Sequence, residues 1–92
     1  MKESARTIAL DLHFAVEFEG AYANLLLPKL LNSSRLDQRD LALAQELAFG
    51  TLRWQLFYDC IIEICAKRNT NEIDEKTLLV LRLGAHQLLG MR

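Results

Sequence analysis

The sequence has little of what interrupts a helix: one proline and four isolated glycines in 92 residues. No segment alternates apolar and polar side chains for the length of a strand, so a sheet has no local support. Positive charge is not in excess either, because eleven lysines and arginines meet twelve aspartates and glutamates. That balance excludes the whole-molecule basic field that announces a nucleic-acid partner, and any such binding must come from a local patch. No apolar run approaches the roughly 20 residues that cross a bilayer, and the N-terminus lacks the basic-then-apolar plan of a signal peptide. The expectation is a cytoplasmic chain without a membrane role. Only two cysteines occur, Cys60 and Cys65. Five positions apart in one helix they would stand about 7.5 Å apart along the axis and on different faces, so they cannot pair. They read as reduced, buried small hydrophobes.

What is present fits a single globular domain over residues 1–92, with 51% apolar and 25% charged residues. A chain this short buries only about 60 to 65% of its unfolded surface, which leaves stability marginal. The first helix is expected from about Ser4 to Glu19, with Ile8, Leu12, Ala15 and Val16 as one stripe widened by Leu10, Phe14 and Phe18. So broad a stripe predicts contact on two sides, and Gly20 ends the helix. Asn24 is expected to cap a second helix through Leu25, Leu26, Leu27, Leu30 and Leu31, with Pro28 tolerated in its first turn and Asn32, Ser33 and Ser34 closing it. Asp37 then caps a long helical stretch from about Gln38 to Lys67, and Asp40 adds negative charge where the helix dipole favours it.

Within that stretch Leu43, Leu47, Gly50, Trp54, Phe57, Ile61 and Ile64 recur at spacings of four and three, which predicts a seam buried against other helices. A glycine inside a helix costs about 1 kcal/mol against alanine, so Gly50 implies a close helix crossing or a bend where two helices meet. After the polar loop Asn69-Thr70-Asn71, Asp74 is expected to cap a last helix to about Gly90. Leu78, Leu81, Ala85 and Leu88 would line its inner face, Gly84 would repeat the small-residue role of Gly50, and Arg82 and His86 would share a more polar side. The fold class is an all-α bundle of four or five helices.

Reaction chemistry finds no support in the residue pattern. Glycines do not cluster between a strand and a helix, as a loop approaching a nucleotide or S-adenosylmethionine requires. His13 and His86 read as hydrogen-bonded or exposed helix residues and not as metal ligands. Neither cysteine has a histidine at a contacting helical spacing. No catalytic, cofactor-binding or metal-binding residue is therefore assigned. The basic positions that could form a local patch are Lys2, Arg6, Arg35, Arg39, Arg53, Lys67, Arg68 and Arg82, most of them expected to be solvated surface charge. Trp54 and Phe57 read as core, while Tyr22, near a loop, is freer.

Longer motifs carry a resemblance. The run Gln45-Glu46-Leu47-Ala48-Phe49-Gly50-Thr51-Leu52-Arg53 with Asp59-Cys60-Ile61-Ile62, and the ending Leu81-Arg82-Leu83-Gly84-Ala85-His86-Gln87-Leu88-Leu89, look like the signatures of the NusB-like fold. Gly20-Ala21-Tyr22-Ala23-Asn24 and Leu27-Pro28 extend the match across nearly the whole chain. The Asn24 to Pro28 segment and the Glu46 to Arg53 run, with Phe49 before the glycine, resemble the N-terminal domain of RsmB/Sun-type 16S rRNA (cytosine-C5) methyltransferases more than the free-standing antitermination factor.

The resemblance implies an antiparallel helical bundle, a ribosomal-RNA target, and a separate catalytic domain, joined in cis, that carries S-adenosylmethionine and the cysteine nucleophile. Nothing of that apparatus matches this chain, so Cys60 and Cys65 inherit no catalytic role. The family's domain continues with further helices beyond the position of Arg92, so the chain looks like a fragment, and self-association through an uncovered apolar face is expected. The leading functional expectation is an RNA-positioning domain in which Lys2, Arg6 and Arg53 neutralise phosphates. A helix-end arginine paired with an acidic neighbour is the structural rival for Arg53. The alternatives are an antitermination-type module that pairs with a small ribosomal protein, and a segment that docks onto and stabilises its catalytic domain.

Overall fold

The computed structural model describes residues 4–91, and the regular structure among them is entirely helical. Helix α1 (Ala5–Phe18) opens on a reciprocal cap: the Ser4 hydroxyl accepts the Thr7 backbone N–H, and the Thr7 hydroxyl accepts the Ser4 backbone N–H at 2.8 Å. Gly20 follows with φ +70, a left-handed position that suits glycine just past a helix end. Helix α2 (Ala23–Asn32) begins at Tyr22 and not at Asn24, and no side chain caps it. Pro28 consequently lies in the helix interior, where its missing N–H frees the Asn24 carbonyl. Both residues are exposed, so water can take that carbonyl. Ser33 and Ser34 close the helix by donating their hydroxyls to the Leu30 and Leu31 carbonyls.

Asp37 caps α3 (Gln38–Arg53) by accepting the Asp40 N–H at 2.9 Å. The long stretch divides at Trp54, four residues beyond Gly50, because Trp54 leaves helical geometry at φ −106, ψ 18. Helix α4 (Gln55–Ala66) starts at once and ends at Lys67, which is left-handed at φ 56. A 3-10 turn, Thr70–Glu72, leads to α5 (Glu75–Ala85). Asp74 caps α5 by accepting from Thr77, and those hydrogen bonds hold its carboxyl below the usual range. The chain then widens into a π-helical turn, His86–Gly90.

The core is built around α1 and α3. Ala5, Ile8, Ala9 and Leu12 meet Ala44, Leu47 and Ala48, with Leu27 of α2 and Leu83 of α5 closing the cluster. The small alanines let the two central helices approach closely, and α1 is covered on several sides by α2, α3 and α5. Helix α4 packs chiefly on α5 and turns only Tyr58 and Ile62 fully inward.

That placement corrects four expectations. The seam fails beyond Gly50, because the break at Trp54 resets the helical phase: Trp54, Phe57 and Ile64 are 52%, 53% and 74% exposed. Cys60 and Cys65 are exposed free thiols, since α4 is covered along Tyr58 and Ile62 only. The inner face of α5 is Leu79, Arg82, Leu83 and His86, whereas Leu81 and Leu88 face outward. Gly84 has nothing within 4 Å of a would-be Cβ, so it is not a crossing point like Gly50.

Candidate functional site

Arg82 and His86, expected on a more polar side of the last helix, are both buried. Arg82 donates from Nε to Asp59 Oδ1 at 2.7 Å and from Nη2 to Asp59 Oδ2 at 3.0 Å, a two-pronged pair between α5 and α4. One turn later the His86 ring lies between Tyr58 and Glu46. A carboxylate only accepts, so His86 Nε2–H donates to Glu46 Oε1 at 3.2 Å, and Nδ1 then accepts the Tyr58 hydroxyl at 2.7 Å. Burial pushes the Tyr58 hydroxyl pKa up, and the Glu46 charge adds to it.

Two glycines make room for this ring. A Cβ on Gly50 would collide with His86 Nε2 and Cε1 and approach Glu46 Oε1 to 2.9 Å. A Cβ on Gly90 would collide with the Tyr58 hydroxyl and the His86 ring. The close crossing expected at Gly50 is therefore present, with an imidazole as the other party. On the far side of α1, His13 donates Nε2–H to the Ala48 carbonyl at 3.0 Å. Burial holds the His13 pKa below its ordinary 6.5, with the hydrogen bond opposing and the charges of Arg82 and His86 assisting.

The π-helical turn carries this interior order to the surface. Gln87 follows His86, and its side-chain oxygen, with the amide turned to pair donor with acceptor, receives Arg6 Nη2 at 3.0 Å and Nε at 3.1 Å. Arg53 lies one turn beyond Gly50, exposed in the last turn of α3. His86 sits on Gly50 and Gln87 holds Arg6, so the π-helical turn touches both α3 and α1. No acidic partner holds Arg53 among the described residues. Lys2 lies outside the described residues. Arg82 leaves the list of surface cations, because Asp59 claims it.

An open groove of about 410 Å³ is lined by Trp54, the residue after Arg53, with Phe57, Tyr58, Leu89 and Gly90. A second groove, of about 300 Å³, has Glu17 and Glu75 in its wall. Its charge does not suit a phosphate. Sequence reasoning missed the Tyr58–His86–Glu46 chain and the Arg82–Asp59 pair, and the available signal was the spacing of Arg82 and His86, one turn apart on the last helix. Gly50 and Gly84 are inside helices, Gly20 and Gly90 end helical segments, and none of the four forms a strand-to-helix loop. Among the described residues no three His, Cys, Asp or Glu side chains converge on a metal position. No helix among them is long and apolar enough to cross a membrane.

Comparison with known proteins places this architecture. A protein of Mycobacterium tuberculosis (strain H37Rv) named "Putative methyltransferase" is 42% identical over 90 residues, covering 98% of this chain and 20% of the relative. The "Probable ribosomal RNA small subunit methyltransferase B" of Bacillus subtilis is 30% identical over 87 residues, 95% of this chain and 19% of the relative. The Pseudomonas putida protein "Ribosomal RNA small subunit methyltransferase B" is 35% identical over 72 residues, 78% of this chain and 16% of the relative. The chain thus spans about a fifth of the length of the curated relatives it matches, in their N-terminal region. No solved structure matches it. The model of the NusB family matches residues 3–92, nearly the whole all-helical bundle, and the chain belongs to the NusB family.

Proposed function

We propose that the chain is a non-catalytic RNA-positioning domain for a small-subunit ribosomal RNA cytosine-C5 methyltransferase. The observation that carries this reading is that a NusB-family match over residues 3–92 coincides with about a fifth of relatives named as ribosomal RNA small subunit methyltransferases. Chemistry would then belong to a catalytic domain in cis, which would also hold S-adenosylmethionine. Arg6, Arg53 and Lys2 are assigned to backbone phosphates, where they set the position of the substrate and read no base. Gln87 supports the assignment by holding the Arg6 guanidinium in place.

Anisotropy of a labelled small-subunit rRNA fragment, titrated between low and physiological salt, tests the reading. Each phosphate contact on a single strand adds about 0.7 to the slope of log affinity against log salt. Arg6→Gln with Arg53→Gln is expected to weaken binding and flatten the slope by about 1.4. An unchanged affinity and slope would show that this patch is the wrong one, and methyl transfer by the chain alone would overturn the non-catalytic reading. The second reading, an antitermination-type protein-interaction module, draws on the formal net charge of −1 and on exposed Leu56, Ile64, Val80 and Leu88. It predicts protein binding, or self-association of the chain, that hardly responds to salt.

A further inference from the structure

We propose that the groove floored by Trp54 and Phe57 takes an unpaired base of single-stranded RNA, stacked on the Trp54 indole with a flanking phosphate on Arg53. The inference rests on the RNA-binding reading and adds to it a strand type and a base site.

The side chains that matter are aromatic, exposed and in contact with one another. Trp54 and Phe57 are 52% and 53% exposed and meet edge to face at 6.3 Å. Phe57 in turn leans on Tyr58, which is 1% exposed and tied to His86. The Trp54 backbone is held from both directions, its N–H donating to the Gly50 carbonyl and its carbonyl accepting the Tyr58 N–H. The backbone that carries the indole is thus fixed, and a stacking face accepts any base.

Electrostatics select the occupant. Arg53 is adjacent to Trp54 in the chain, and no carboxylate lines the groove. The nearest acids are engaged elsewhere: Asp59 with Arg82 and Glu46 with His86. A cation beside an exposed aromatic pair, without opposing charge, suits a polyanion that offers flat apolar faces. In an A-form duplex those faces are already stacked, so only an unpaired segment can supply one. Leu89 in the wall and the exposed Leu88 would equally suit a protein, and the test separates the two.

Trp54 is the one tryptophan of the chain, so its emission reports on this groove alone. The 92-residue protein is titrated with an oligouridylate of about 12 nucleotides, within the usual site sizes, and with a duplex RNA of equal length. The expected result is saturable quenching by the single strand and little by the duplex. Trp54→Ala is expected to weaken single-strand binding at least fivefold, with Trp54→Phe retaining most of the affinity and both variants keeping the wild-type helical circular dichroism. Binding of labelled RNA that leaves Trp54 emission and Trp54→Ala affinity unchanged would overturn the stacking site and leave the RNA reading intact. Absence of binding to any RNA would overturn both. A blue shift that grows with protein concentration, and that RNA does not reverse, would assign the groove to a protein partner instead.

Discussion

Replacing Gly50 by alanine should destabilise this protein although glycine is the poorer helix former. The new Cβ would stand inside the contact shell of the His86 ring. His86 is 2% exposed and bonded on both sides, so it has no free space to swing into. Either the α3 crossing opens, an overpacking cost of about 1–3 kcal/mol, or His86 abandons two hydrogen bonds worth about 1 kcal/mol each. Helix propensity returns about 1 kcal/mol. The net loss centres on about 1 kcal/mol and reaches at most about 2, a drop of roughly 4–16 °C in melting temperature for a domain of this size. Gly84→Ala is the internal control: nothing lies within 4 Å of its Cβ, so the propensity gain of about 1 kcal/mol should appear unopposed. Urea unfolding followed by circular dichroism measures both, and pairing Gly50→Ala with His86→Ala isolates the contact, since the two losses should not add. A Gly50→Ala midpoint at or above that of the wild type would refute the reasoning.

Removing one partner of the Arg82–Asp59 pair, as in Asp59→Ala, should cost about 3–5 kcal/mol because it leaves a buried charge unmatched; a urea midpoint within error of wild type would count against it. Thr51 is 1% exposed and its hydroxyl has no hydrogen-bond partner among the described residues, so Thr51→Val should stabilise the fold by about 1 kcal/mol or more. Stability should also fall as pH drops below 6.5. The unfolded His13 ring takes a proton there, while the buried ring, with its depressed pKa, resists until lower pH. The slope in that window is at most about 1.4 kcal/mol per pH unit for one proton, and His13→Gln should flatten it. Light scattering at rising concentration should show mass growing above that of the monomer, through exposed Leu56, Ile64, Val80 and Leu88; a compact monomer throughout would defeat that expectation.

Several helix ends, though not the start of α2, were legible in the sequence because capping is local. Asp37 and Asp74 each accept the N–H that their position relative to the following turn dictates, and Gly20 adopts the left-handed geometry expected of it. The inner face of α5 was not legible. A count of apolar residues favours Leu78, Leu81 and Leu88, but the helix turns Arg82 and His86 inward because α4 and α3 supply Asp59, Tyr58 and Glu46 for them. Those partners are 23, 28 and 40 residues away in the chain, beyond the reach of any periodicity. The Trp54 and Phe57 assignment failed for a related reason, since spacing in fours and threes presumes one unbroken helix. Of the proposed site, Arg6 and Arg53 could be named from their positions, but the hold of Gln87 on Arg6 depends on the π-helical turn that no local signal announced.

Trp54 serves as the last cap of one helix and the first of the next, with no linker between. Such a joint works like a fixed gear: one residue inserted after it would rotate everything downstream by about 100°. Tyr58 and Asp59 would be carried off their partners together, so both interior contacts would disengage in a single step. Evolutionary tinkering with length at this point should therefore be all or nothing, with whole helical turns tolerated far better than single residues.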